Sequence, residues 1–278
     1  MKTALAALAF ALLSGVGALA GTPRPVVVEV YTSQGCNSCF SANALAGKLA
    51  QKPGVLVLSL PVTYWDMFGW NDTLANEDNT KRQKAYAAAL RRGGVYTPQM
   101  VIDGVRDVPA SRPDAVAYAL DMAAMARDDA YDTDTATPIA LARRDGIPMA
   151  VVAGARVRTL ANTAWSVGVG ITRGPEGLRV AVERAPERHR LDATVWLFRL
   201  RSKAAVKITG GESAGQTIAY RNVVTGIQKL GPWRGDAHVF SLPKQAGAVA
   251  PHDAVAVVVQ QGGYGRVLGA AFQSGPAY

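Results

Sequence analysis

The sequence predicts an α/β domain with the element order βαβαββα, followed by an all-β domain of sandwich-like architecture. Three observations predict this arrangement. In the first half, β-branched runs alternate with stretches of helical character. A polar segment over residues 128–138 is poor in large apolar residues and separates the two halves. After it the helical period disappears, and short alternating strands are separated by glycine, proline and charged turns.

The N-terminus has the pattern of a secretory signal peptide. An early lysine precedes an apolar run over residues 4–16, and residues 18–20 fit the small-x-small pattern of a cleavage site. We therefore expect a signal peptide over residues 1–20, cleavage before Gly21, and a periplasmic or secreted protein. The alternative is a membrane anchor, but the run is shorter than the roughly 20 residues that span a bilayer. No later segment is apolar over that length, so no stable membrane span is expected after cleavage.

The domain expected over residues 21–130 has seven elements. Asp103-Gly104, between two apolar stretches, is a strong hairpin signal and makes the last two strands antiparallel. The right-handed crossover rule leaves few sheets open to this order, which is the order of a thioredoxin-like fold. The expected elements are strands over 26–31 and 55–60, helices from Cys36 or Asn37 through Leu49 and over about 79–92, strands over 99–102 and 105–108, and a helix from Pro113 to about Asp128.

The domain expected over residues 139–278 is built from strands alone. Turn-forming residues recur between its apolar stretches, and residues 173–177 have the pattern of a hairpin turn. This spacing predicts a sandwich or a barrel. The expected strands are 149–152, 165–171, 178–182, 194–200, 206–209, 239–242, 254–260 and 266–271.

Charge and composition argue against some classes of function. The formal net charge is +9, from 30 Lys and Arg against 21 Asp and Glu, and the charges are scattered along the chain. Nucleic-acid binding favours a basic stripe interleaved with aromatic residues, which this sequence lacks, so we expect no nucleic-acid partner. With only 2 cysteines in 278 residues, of which 49% are hydrophobic, the fold must rest on its apolar cores.

Cys36 and Cys39 form a CxxC motif that directly follows a β-branched strand and opens a helix. The free N–H groups and the dipole at a helix N-terminus favour the thiolate of the first cysteine. Cys39 lies one turn further on, where it can attack a mixed disulfide formed by Cys36. We therefore expect a Cys36–Cys39 disulfide, with Cys36 as the nucleophile and Cys39 as the resolving thiol.

Two other interpretations compete for the cysteine pair. A zinc site needs two more Cys or His ligands, but no cysteine remains and the 3 histidines all lie in the second half. The other is an inert structural disulfide, which would close only a very short loop and stabilise the fold little. Neither a metal nor another cofactor is expected.

Thr97-Pro98 stands directly before the strand over 99–102. Thioredoxin-like folds place a cis-proline at this point, beside the CxxC motif, where it presents backbone to a substrate chain. We therefore expect a cis peptide bond at Pro98 and a substrate contact at Thr97. The alternative is a trans proline that begins a strand.

Glu29 lies in the middle of an apolar strand, so we expect its side chain to be buried behind the CxxC motif. A carboxyl group in that position can pass protons to Cys39. The alternative is that Glu29 pairs with a lysine or an arginine, or reaches the edge of the sheet.

An aromatic loop follows the second strand. Trp65, Phe68 and Trp70 can frame a substrate cleft beside the cysteines, or they can cap the sheet or dock the β domain. Packing is the favoured interpretation, because aromatic clusters more often lie in a core or an interface. If the loop does bind substrate, Trp65 and Asp66 are the expected contacts, with Asp66 as the polar one.

Several segments together resemble the bacterial secreted thioredoxin-like proteins grouped as DUF1223, a domain of unknown function. Residues 27–39, VVEVYTSQGCNSC, resemble that family's V-E-L-[FY]-T-S-Q-G-C-S-S-C. The resemblance covers nearly all of the mature chain and implies a thioredoxin-like fold and an exported protein, while the family has no settled substrate. Further matches, to Y-W-D-x-x-G-W, V-Y-T-P-Q, G-E-N-x-G and N-V-V, are residues 64–70, 95–99, 211–215 and 222–224.

Two departures from the family's patterns bear on activity. Phe40 and Ser41 stand where the family usually has two prolines after the second cysteine. Residues 61–63, PVT, stand where it often has H-V-D. If those residues tune the thiols in other members, this chain lacks them.

Three functions compete on these patterns. The first is a periplasmic thiol–disulfide oxidoreductase that acts on protein or small-molecule thiols and disulfides through Cys36 and Cys39. The second is a non-enzymatic binding or assembly module, in which the β domain engages a partner and the disulfide is structural. The third is copper handling by the two cysteines with Met100, because soft sulfur ligands suit Cu(I).

Overall fold

The protein has a mixed α/β fold with a large mixed sheet and a separate antiparallel sheet. The signal peptide expected over 1–20, the linker at 128–138 and the strand at 149–152 lie outside the described residues. The computed structural model describes residues 24–127, 166–185, 191–244 and 253–275.

The first half follows the predicted order βαβαββα, with a short 3₁₀ helix, Thr63–Phe68, added after the second strand. All seven residues of its first strand are buried, as a β-branched run predicts. The first helix begins at Cys39, two or three residues later than predicted. The bounds are β1 Val26–Thr32, α1 Cys39–Leu49, β2 Val55–Pro61, α2 Glu77–Ala89, β3 Gln99–Ile102, β4 Arg106–Pro109 and α3 Pro113–Arg127.

The described part of the second half is built from strands, two of which differ from the sequence prediction. The strands predicted at 194–200 and 206–209 are one continuous strand. A 17-residue strand that the pattern does not predict follows it. The bounds are β5 Val169–Gly174, β6 Gly177–Val182, β7 Ala193–Lys207, β8 Thr217–Trp233, β9 His238–Pro243, β10 Ala254–Gln261 and β11 Val267–Ser274.

One eight-stranded sheet runs through both halves in the order β11-β10-β7-β8-β2-β1-β3-β4. β1 pairs parallel with β2 and antiparallel with β3. β8 joins the halves, because it pairs antiparallel with β7 and parallel with β2, where Val223 faces Ser59. The separate sheet is three-stranded and antiparallel, in the order β5-β6-β9. The two segments predicted as domains therefore share a sheet.

Side chains reinforce the pairing of β2 with β8. Ser59 Oγ donates to the carbonyl of Arg221 at 2.8 Å, and Asn222 Nδ2 donates to the carbonyl of Val57 at 2.9 Å. Asn222 has a φ of +48°, a left-handed conformation that asparagine adopts more readily than most residues. Asn222, which matches the family-like segment, is thus a connector between the halves.

The sheet curves around α2, so that its two ends approach each other. The carbonyl of Asp103, in the turn between β3 and β4, accepts a hydrogen bond from the N–H of Val267 at 3.0 Å. The enclosed core contains residues of both halves, among them Tyr31, Tyr86 and Phe198. The predicted domains therefore share a hydrophobic core as well as a sheet.

Three further hydrophobic clusters of the described residues lie outside this enclosure, and two of them cover faces of the large sheet. α1 and α3 cover the opposite face of β1 and β3, where Val28 packs with Ala46. The three-stranded sheet packs against β7 and β10, with Val180, Val195 and Val257 between them. Two sheets therefore face each other in the second half.

Candidate redox site

The candidate site is the turn between β1 and α1, where a disulfide joins Cys36 and Cys39. Their Cα atoms are 5.3 Å apart, and the carbonyl of Cys36 accepts the N–H of Cys39 at 3.0 Å. Asn37 and Ser38 between them are exposed, but Cys36 is only 1% exposed and Cys39 0%. The disulfide thus lies at the predicted strand-to-helix turn, but beneath the surface.

The loop after the 3₁₀ helix holds this turn in place. The N–H of Gln34 donates to Asp72 Oδ2, and Trp70 Nε1 donates to Gln34 Oε1, each at 2.8 Å. Asp72 in turn donates its N–H to Asp66 Oδ1 at 3.0 Å. Asp66, a candidate substrate contact, therefore organises the loop. The sequence analysis did not identify Gln34 or Asp72 as site residues, although Gln34 lies inside the family-like segment before the cysteines.

The carboxyl group of Asp72 is a weaker acid than an ordinary aspartate. Burial raises the pKa of Asp72 to about 6, and the nearby Asp66 carboxylate adds to this effect. Hydrogen bonds from the N–H groups of Gln34, Leu74 and Ala75 lower the pKa and offset the burial only in part. A carboxyl group that titrates near neutral pH is thus bonded to the turn that carries the cysteines.

Trp65 and Phe68 lie close to the start of the turn. Their ring centroids are 5.4 Å apart, and a Cβ atom built on Gly35 would lie 3.4 Å from the Cβ of Trp65. Trp65 also packs against the core shared by both halves. Phe68 and Met67, by contrast, are 57% and 80% exposed. Trp65 therefore serves packing, while its neighbours form an exposed apolar rim beside the cysteine turn.

Pro98 borders the site, and its peptide bond with Thr97 is cis, as predicted. Tyr31 pairs with Gln99, so the antiparallel register puts Pro98 next to Thr32 at the end of β1. Thr97 is half-buried and Pro98 buried. Backbone of this dipeptide therefore lies beside the strand that leads into the disulfide.

Glu29 is buried, as predicted, but its carboxylate is engaged away from the cysteines. Val28 packs on the face of β1 that α1 covers, so strand alternation turns Glu29 toward α2 on the other face. There Arg82 donates to both carboxylate oxygens, at 2.6 and 2.7 Å. The ion-pair alternative is the one present, and a proton relay from Glu29 to Cys39 is not supported, because the sheet separates them.

Arg82 is the centre of a network between the halves. It donates to Gln260 Oε1 at 2.9 Å, while the hydroxyl of Tyr86 donates to Glu29 Oε1 at 2.7 Å. Burial alone lowers the pKa of Arg82, but the Glu29 carboxylate holds it well above its ordinary value. The guanidinium carbon lies 4.9–5.5 Å from the ring centroids of Tyr86, Trp196, Phe198 and Tyr264.

Metal-binding geometry is absent from the part of the chain that the structure describes, where no group of three or more His, Cys, Asp or Glu side chains is placed to hold an ion. Met100 is fully buried in the core between the sheet and the helices α1 and α3. No helix within the described ranges is long and apolar enough to cross a membrane.

Two solved structures share this fold. The crystal structure of protein AGR_C_4864 from Agrobacterium tumefaciens matches with a TM-score of 0.67 and 24% identity, covering 93% of this chain and 98% of that chain. HBP35 of Porphyromonas gingivalis matches with a TM-score of 0.57 and 11% identity, covering 91% of this chain and 76% of that one. No curated protein sequence matches the chain. The profile of one family matches residues 27–167 and 142–260, and the chain therefore belongs to the family described as protein of unknown function (DUF1223).

Proposed function

We propose that this protein is an exported, thioredoxin-like thiol–disulfide oxidoreductase that uses the Cys36–Cys39 pair. The observation that carries the proposal is the position of the disulfide at a strand-to-helix turn, directly after a strand whose end lies next to Pro98. The order of elements over residues 24–127 supports the thioredoxin-like description. Substrates are protein or small-molecule thiols.

The reaction is a sequence of two thiol–disulfide exchange steps. A substrate thiolate attacks Cys36 Sγ, the bond between the two cysteines breaks, and Cys39 leaves as a thiolate that takes up a proton. A second substrate thiol then attacks the mixed disulfide, and Cys36 leaves. The substrate dithiol is oxidised to a disulfide and the protein's pair is reduced to two thiols. The same steps run in reverse when the substrate is a disulfide.

Trapping of mixed disulfides tests the proposal. In a Cys39→Ser variant the resolving thiol is gone, so adducts should accumulate on Cys36 and appear as reductant-sensitive bands on a non-reducing gel. The matched control is Cys36→Ser, which leaves only the fully buried Cys39. Equal amounts of adduct in the two variants, or none in either together with no dithiol reactivity of the wild type, would refute the proposal.

A second candidate is a binding or assembly module in which the disulfide is structural. The observation that favours it is burial, since neither cysteine is more than 1% exposed. Thiol exchange requires access to the attacked sulfur. On this candidate, Cys36→Ser leaves partner binding intact and the wild-type disulfide resists mild reductant.

Export of the protein is part of the proposal and has its own test. The pattern of residues 1–20 supports cleavage before Gly21. N-terminal sequencing of the protein from a periplasmic or culture-medium fraction should begin at Gly21. Recovery of the uncut chain from the cytoplasmic fraction alone would contradict export.

A further inference from the structure

The outer part of the hairpin formed by β7 and β8 extends beyond the rest of the sheet. β10 pairs with β7 only from Ala193 to Leu200, and β8 meets β2 only at Val223. Between those points, residues 201–222 form a two-stranded hairpin arm that projects toward the cysteine turn. This hairpin arm, residues 201–222, packs on elements of the other half.

The hairpin arm contacts the residues that flank the cysteines. Phe40, directly after Cys39, packs against an apolar cluster that includes Ile208 and Ile218 of the arm. Gln216 Nε2 donates to Asn37 Oδ1 at 3.4 Å. The arm therefore contacts the residue after each cysteine. This placement also gives Phe40 a role, because an apolar ring there anchors the arm.

The turn of the hairpin arm also lies on the aromatic loop. A Cβ atom built on Gly211 would be 3.2 Å from both the carbonyl oxygen of Phe68 and the Cβ of Trp70. One built on Gly210 would be 3.1 Å from the carbonyl oxygen of Gly69. These distances are shorter than almost all Cβ contacts in proteins, so a methyl group at either position would push the loop away by a few tenths of an ångström. Gly211 also has a φ of +69°, a conformation that favours glycine. The arm thus packs closely against the aromatic loop. Trp65 of the same loop contacts Gly35, directly before Cys36.

We propose that the hairpin arm is a cover that keeps the Cys36–Cys39 disulfide shielded, and that thiol exchange requires the arm to lift. This inference deepens the exchange function proposed above and rests on it, since a cover regulates only a bond that reacts. It reconciles the motif with the burial of both cysteines. The rate of reduction is then the intrinsic rate multiplied by the fraction of molecules with the arm lifted.

The test is the rate at which dithiothreitol reduces the disulfide. The freed thiols are alkylated at timed intervals, and mass spectrometry measures the fraction of alkylated protein. Gly211→Ala places a methyl group against Phe68 and Trp70, so reduction should be at least about tenfold faster than in wild type, or ~1.4 kcal/mol of opening free energy. Gly215→Ala is the matched control, because Gly215 also has a positive φ, +86°, but nothing lies within 4 Å of its Cβ position. It should react at the wild-type rate.

Gly210→Ala is a second variant that avoids a positive φ and should also accelerate reduction. Thermal unfolding followed by circular dichroism verifies that each variant is folded at the temperature of the assay. Wild-type rates in both Gly211→Ala and Gly210→Ala would overturn the cover, as would equal acceleration by Gly215→Ala. The two proposals fail separately: faster reduction of these variants without adducts on Cys36 in the Cys39→Ser protein leaves the cover standing and removes the exchange function.

Discussion

At the scale of single residues, Glu29 and Arg82 form a buried ion pair in the core that the two halves share. Both side chains are 2% exposed. Each charge of a buried ion pair is stabilised by the opposite charge and by further hydrogen bonds, so removing one partner leaves an uncompensated charge. Tyr31 and Tyr86 donate to the same carboxylate, and burial together with that charge raises the pKa of each hydroxyl well above its ordinary value.

Replacing Arg82 should therefore destabilise the protein strongly. In Arg82→Met the Glu29 carboxylate is left without its cation, and we expect the free energy of unfolding to fall by about 3–5 kcal/mol. The double variant Glu29→Gln with Arg82→Met removes both charges and should recover part of the loss. Urea denaturation measures both. A loss below ~1 kcal/mol in Arg82→Met would mean that the pair contributes little.

The raised pKa of Asp72 predicts a pH dependence of stability. Its pKa is about 6 in the folded protein and about 4 when unfolded, so between those values the folded state binds more protons. The contribution of Asp72 therefore makes the protein more stable in acid, and this advantage is lost as pH rises from about 4 to about 6. The control is Asp72→Asn, which cannot titrate. Identical pH profiles of unfolding free energy for the two proteins would contradict the assignment.

At the scale of elements, local sequence patterns predicted individual strands and turns correctly. The contacts between distant segments did not follow from those patterns. β1 and the hairpin at Asp103-Gly104 were predicted, because a β-branched run and a two-residue turn are local signals. Both turn residues have positive φ, as that turn requires. By contrast, β8 contains Gly226, Gly231 and Pro232, which interrupt its apolar pattern, and two register shifts break its pairing with β7.

The candidate site divides in the same way. The cysteines and the cis bond at Pro98 follow from a motif and its neighbours. The partner of Glu29 does not, since Arg82 is 53 residues away on another element. The contacts around the cysteines were also not predictable from the motif, because Asn37 and Phe40 are contacted by a hairpin arm half of which belongs to β8, a strand the sequence pattern did not indicate.

Asn222 is where β8 meets β2, and its replacement should weaken that joint. Asn222→Ala loses the bond to Val57 and leaves a β-carbon at φ +48°, so we expect a loss of about 2 kcal/mol. Asn222→Gly loses the same bond but tolerates the conformation, so its loss should be smaller. Thermal or urea unfolding ranks the two variants. Equal losses would mean that backbone conformation is not the reason for asparagine at this position.

At the scale of the whole molecule, the shared sheet and core predict cooperative unfolding. Tyr31 and Phe198, from the two predicted domains 21–130 and 139–278, lie in one core. We therefore expect one transition in urea, with coincident curves from far-UV circular dichroism and tryptophan fluorescence. A fragment ending at residue 130 should fail to fold cooperatively. Two separate transitions, or an independently folded fragment, would restore the interpretation as two autonomous domains.

The network around Arg82 also constrains how the chain can be made. Gln260 follows Arg82 by 178 residues, so it is synthesised long after the segment that it completes. Until then, the faces of α2 and β1 that carry Arg82 and Glu29 lack the strands that bury them in the folded protein. We expect the nascent first half to depend on a holding chaperone until the last strands are made. The last strands close the molecule, and release from that chaperone should await them.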